Sequence, residues 1–217
     1  MKNKMTITQK IKKGILGLAA AVLLTGCANT KNFMGVEVYR DTRGMNVGTF
    51  SGSANLPLKT NTFGFIEYET EQGTDNIKRP YGEIMLSKKA KNGLGVAVEY
   101  DRNFALPKGT TRTGFVFEPS FLRKLDKNLF LGVKYFPSST DNQGEQLGIY
   151  GKKTFSNGDF YVGGYFDYDF KSDAIVTDLQ FGKRIKENLY FIVKGRLNEF
   201  RAKEDQKGIG VGLEYQF

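Results

Sequence analysis

Histidine and tryptophan are missing from all 217 residues, cysteine occurs once and proline five times. Without imidazole there is no Ser-His or Cys-His couple and no histidine ligand for zinc, which removes most hydrolase and metalloenzyme chemistry. A single cysteine has no disulfide role to play within the chain. No apolar run is long enough to span a bilayer as a helix. What is present is a chain 13% aromatic and 25% charged with 26 glycines. That is too aromatic and too moderately charged for a disordered polymer, and the length suits one domain.

The first 26 residues stand apart. Lys2, Lys4, Lys10, Lys12 and Lys13 precede the apolar stretch from Gly14 to Leu24 with no acid among them. A basic segment followed by a short apolar one reads as an export signal. It ends in Leu24-Thr25-Gly26-Cys27, which resembles the lipobox of bacterial lipoproteins. That resemblance implies cleavage before Cys27, diacylglycerol on its sulfur and, with Ala28 rather than Asp next, sorting to the outer membrane. Removing the five lysines lowers the net charge from +9 to about +4, so basicity no longer argues for a nucleic-acid partner. The expected division is a signal over 1–26, a lipidated tether over 27–32 and a folded domain over 33–217.

Period two dominates that domain. Leu94, Val96, Val98 and Tyr100 alternate with Gly95, Ala97, Glu99 and Asp101, and Ile209, Val211, Leu213, Tyr215 and Phe217 alternate with Gly208, Gly210, Gly212, Glu214 and Gln216. Such alternation is that of strands with one apolar face. Turn residues recur at Asn92-Gly93, Asp126-Lys127-Asn128, Asn157-Gly158 and Glu187-Asn188, dividing the chain into hairpins. The pattern predicts twelve strands, at 33–40, 45–51, 62–70, 80–88, 94–103, 111–122, 129–137, 144–154, 159–169, 173–184, 189–200 and 207–217. Ten strands behind an N-terminal linker is the alternative.

Together these features resemble a bacterial outer-membrane β-barrel. The last strand is similar to that family's assembly signal, with Phe217 at the end and Tyr215 two residues before it. The resemblance implies an all-β, closed, antiparallel, up-and-down transmembrane barrel, porin-like, with outer-membrane lipid and the barrel-assembly machinery as partners. It also implies no enzyme, because barrel enzymes of the protease, phospholipase and deacylase types rely on a histidine. Girdles without tryptophan would be built from Tyr100, Phe117, Tyr135, Phe160, Phe166, Tyr168 and Phe191.

If the apolar face meets lipid, the other face lines the lumen. It carries Glu83, Glu99, Asp101, Arg112, Glu118, Lys134, Lys152, Asp167, Asp178, Lys194, Arg196 and Glu214, interspersed with glycines that leave room. Arg112, Lys134, Lys194 and Arg196 facing Glu99, Glu118 and Glu214 across a constriction would set up a transverse field in a narrow passive channel for small hydrophilic solutes. The same residues paired into a plug would give a non-conducting barrel. Reversed faces would give a lipid-tethered periplasmic barrel holding an apolar ligand. The pairs Glu67/Glu69, Asp167/Asp169 and Glu204/Asp205 come with no recognisable nucleophile, so no catalytic residue, metal or cofactor is expected.

Overall fold

The computed structural model describes residues 33–71, 77–140 and 144–217. The export signal, Cys27 and the tether fall outside the described residues. Twelve strands follow in order: β1 (Phe33–Asp41), β2 (Met45–Leu56), β3 (Thr60–Glu71), β4 (Tyr81–Lys89), β5 (Leu94–Asn103), β6 (Thr110–Phe117), β7 (Leu129–Ser139), β8 (Gln146–Phe155), β9 (Phe160–Asp169), β10 (Ala174–Lys186), β11 (Leu189–Asn198) and β12 (Lys207–Gln216). Each pairs antiparallel with its neighbours in sequence, and β1 closes on β12 through pairs such as Val38 with Leu213 and Tyr39 with Gly212. The first two strands are therefore full members of the wall, and the ten-strand alternative falls away.

The strand ends follow turn chemistry. At the β4–β5 turn Gly93 adopts φ +95°, and a Cβ there would lie 1.8 Å from the Glu118 carbonyl oxygen. Only glycine fits both demands. Sequence alternation carries β6 to residue 122, but the strand stops at Phe117 and a short helix, α1 (Ser120–Leu125), follows. Pro119 is the cause: it has no N–H for the ladder and its φ of −61° is already that of a helix start. Pro137 acts similarly inside β7, where the β6–β7 register slips by one residue between the Thr113–Ser138 and Phe115–Tyr135 pairs.

The faces are sorted as a membrane barrel requires. Val96 is 58% exposed, and Phe191 and Leu213 are also exposed, whereas Glu99 between Val98 and Tyr100 is 1% exposed. A water-soluble barrel would show the opposite, so the tethered soluble binder is set aside. Both Phe33 and Phe217 stand at one end, hereafter the terminal end, with the connections after even-numbered strands. The connections after odd-numbered strands make the loop end. Every tyrosine and phenylalanine named for the girdles falls on the outward parity of its strand.

Candidate functional site: the charged lumen

Alternation puts the charged face of every strand inside, and closure brings strands remote in sequence into contact. Glu83, Glu99, Arg112, Glu118, Lys134, Asp167, Asp178, Lys194, Arg196 and Glu214 all lie on the inward face. They gather into two ion-pair clusters and a terminal layer.

The first cluster is centred on Lys134 of β7. Its Nζ lies 2.8 Å from Glu99 of β5, 3.4 Å from Asp167 of β9 and 3.8 Å from Glu83 of β4. Arg112 bridges Asp101 and, at 3.7 Å, Glu99. A buried ammonium demands such company, because desolvation penalises it unless carboxylates surround it.

The second cluster is centred on Glu69 of β3, which is completely buried and meets four guanidinium groups. Arg201 lies at 2.8 Å, Arg43 at 3.1 Å, Arg196 at 3.3 Å and Arg79 at 3.5 Å. Arg196 is the hub: it grips Glu67 with both terminal nitrogens and donates two 2.9 Å bonds to Asp178. Lys194, next along β11, reaches Glu37 at 2.6 Å. Glu67 and Glu69, which share a strand face as a would-be acid/base couple, are thus taken up by arginines. Arg43, Arg79 and Arg201 lie on connecting segments. Arg43 gains proton affinity: burial works against its charge, but the hydrogen bond to Asp41 and the field of Glu69 outweigh it. The Asp205 carboxylate, on the same connection as Arg201, accepts from Arg79, whose guanidinium holds the carboxyl below the usual aspartate range.

Towards the terminal end the lumen turns aromatic. Glu214 accepts from Tyr161, Glu118 accepts from Tyr150 at 2.9 Å and pairs with Lys89 at 2.6 Å, and Lys152 sits 3.9 Å from the centroid of the Tyr161 ring. The inward glycines are the seats of these rings. A Cβ on Gly182 would come within 2.1 Å of Tyr161, one on Gly132 within 2.4 Å of Tyr150 and one on Gly210 within 2.5 Å of Tyr39. The room that glycine leaves is therefore filled, not open. Phe136 and Ile192, also inward, are 0% exposed.

From mid-barrel to the loop end a cavity of about 1110 Å³ remains, with Glu83, Glu99, Arg112, Asp167 and Arg196 deep in it and Arg79, Arg102, Lys108, Lys171 and Arg201 towards its mouth. Tyr81, Tyr165 and Phe65 line it as well. The transverse field expected from sequence takes a different form, because Arg112 and Lys134 neutralise Glu99 directly instead of facing it across open space. The asymmetry lies elsewhere, between an arginine-rich wall around Glu69 and a wall with four carboxylates around Lys134. Sequence reasoning did not place Glu37, Asp41, Arg43, Arg79 or Arg201 in the lumen. Parity within β1 marks Glu37 and Asp41, whereas Arg43, Arg79 and Arg201 sit on connections, where alternation has no say.

No family model matches the chain, and no curated protein matches it in sequence. Solved structures do match in shape. A KdgM porin superposes with a TM-score of 0.56 at 13% identity, over 85% of this chain and 99% of its own, and a KdgM porin in complex with disordered oligogalacturonate does so at 0.55 with the same coverage and identity. Outer membrane phospholipase A from Escherichia coli matches at 0.56 and 12% identity, over 88% of this chain and 92% of its own. At such identities the likeness is one of fold, and the fold is the closed antiparallel β-barrel of bacterial outer-membrane proteins.

Proposed function

We propose that this chain is an outer-membrane channel through which small hydrophilic solutes diffuse passively, entering at the loop end and passing between the Glu69 and Lys134 clusters. The observation that carries the reading is the charged cavity of about 1110 Å³ between mid-barrel and the loop end. A wall of ion pairs offers polar solutes replacement partners for water. The KdgM porin supports a channel on this fold. The phospholipase shows that the fold also hosts chemistry, but a chain with no histidine and with Glu67 and Glu69 taken up by arginines favours transport. The proposal includes export by the signal, lipidation at Cys27, which puts the terminal end on the periplasmic side, and insertion by the assembly machinery through Tyr215 and Phe217.

The test is planar-bilayer recording of the refolded mature chain. Discrete conductance steps are expected, with ion selectivity that shifts on Lys194→Glu or Arg112→Glu. A second reading rests on the fully buried Phe136 and Ile192: the terminal half is a plug and the barrel does not conduct. Bilayers that stay silent with correctly folded protein select that reading and end the channel one.

A further inference from the structure

The two ends of the barrel differ in charge. Among the described residues, eight exposed cations and two exposed acids stand on the terminal-end connections and the strand ends beside them, against six and five at the loop end. We propose that the terminal rim is a binding belt for anionic glycerophospholipids, holding the headgroups of the leaflet on that side.

Position distinguishes such a belt from a merely solvated rim. Lys88 points outward from β4, pairs across the ladder with the exposed Val96 and follows the exposed Leu86 two residues earlier. Lys183 points outward from β10 between Phe191 and Phe160, with its ammonium 5.9 Å from the Phe160 ring. Both ammoniums rise from the apolar wall, so their stems lie against lipid chains and their charges reach the phosphate level. Helix α1 adds a second element. Phe121 and Leu125, one turn apart, are 55% and 80% exposed, and Lys124 and Lys127 accompany them. A short segment with exposed apolar side chains beside cations lies in an interface, apolar side in the acyl boundary and ammoniums among the phosphates. Lys88, Lys124 and Lys127 make no ion pair among the described residues, so their charge is available to a lipid. Near an anionic surface each such cation attracts negative headgroups, and several on one rim act together.

The test uses the full mature chain reconstituted in phosphatidylcholine vesicles carrying a trace of spin-labelled lipid. The motionally restricted fraction of labelled phosphatidylglycerol is expected to exceed that of labelled phosphatidylcholine several-fold in association constant. Lys88→Gln/Lys124→Gln/Lys127→Gln/Lys183→Gln is expected to bring the two lipids to near equality, whereas Lys203→Gln/Lys207→Gln at the loop end leaves the preference intact. Folding of each variant is checked by its gel mobility before and after heating, and if the quadruple variant does not fold, Lys124→Gln/Lys127→Gln on the exposed helical connection is read for a partial loss. Equal restriction of both lipids in the wild type, or loss of preference in the loop-end variant, overturns the proposal. Abolition of the preference by inorganic phosphate at matched ionic strength also overturns it, because the site would then be one for free phosphate. None of these outcomes depends on whether the barrel conducts.

Discussion

Glu69 shows how a single residue holds the lumen together. Its carboxylate is the common partner of arginines from the β1–β2 turn, the β3–β4 connection, β11 and the β11–β12 connection. Removing one partner from a buried ionic cluster leaves charge without compensation, which costs about 3–5 kcal/mol. Glu69→Ala is therefore expected to lower the unfolding free energy by that order in urea titration of the detergent-folded barrel, and Arg196→Met to do comparable damage by orphaning Glu67 and Asp178. The glycine seats make a second prediction. Gly182 pairs directly with Tyr161, so Gly182→Ala forces the ring aside and is expected to cost about 1–3 kcal/mol. In a Tyr161→Ala background the same change should be nearly neutral, and a double-mutant cycle in the same titration measures the difference.

At the scale of elements, the loop end is tied by charges. Arg79 of the β3–β4 connection binds Asp205 of the β11–β12 connection, and Arg43 of the β1–β2 turn reaches the Asp205 carbonyl at 3.2 Å. Because the Asp205 carboxyl is held below the usual aspartate range, its contribution is fully present above that range and fades as pH falls through its lowered value. Protection of the amides of residues 199–206 against hydrogen exchange, taken relative to the intrinsic rate at each pH, is thus expected to be high at neutral pH and to fall when acid protonates Asp205. Asp205→Asn should show the low protection already at neutral pH, and pH-independent protection in the wild type would contradict this account. The strands themselves were legible because period-two alternation and turn residues are local signals: β5, β9 and β12 run where the pattern puts them. The end of β6 was not, since Phe115 and Phe117 continue the alternation up to the point where Pro119 removes a ladder donor.

At the scale of the whole molecule, closure converts local alternation into an inside and an outside. The β1–β12 ladder leaves no unpaired edge in the hydrocarbon layer, where an unsatisfied backbone group costs several kcal/mol. A chain held this way should resist detergent: unheated protein is expected to migrate differently from heated protein on a denaturing gel. Substituting proline for Val38, in the middle of β1, removes a closing hydrogen bond and should abolish that difference. Identical mobility of the heated and unheated wild type would argue against a closed barrel.

Alternation in the sequence determined which side chains share a face, and therefore that Glu99, Lys134, Asp167 and Arg196 lie together apart from Val96, Phe191 and Leu213. Sequence also set the strand count within two, through turn residues that act over a few positions. Tertiary structure alone decided which face is inside, because alternation is symmetric with respect to the two sides of a sheet. It also decided which charges meet. Glu69 draws its four arginines from up to 132 residues away, and only the circumference of a closed twelve-strand wall brings them within hydrogen-bonding distance.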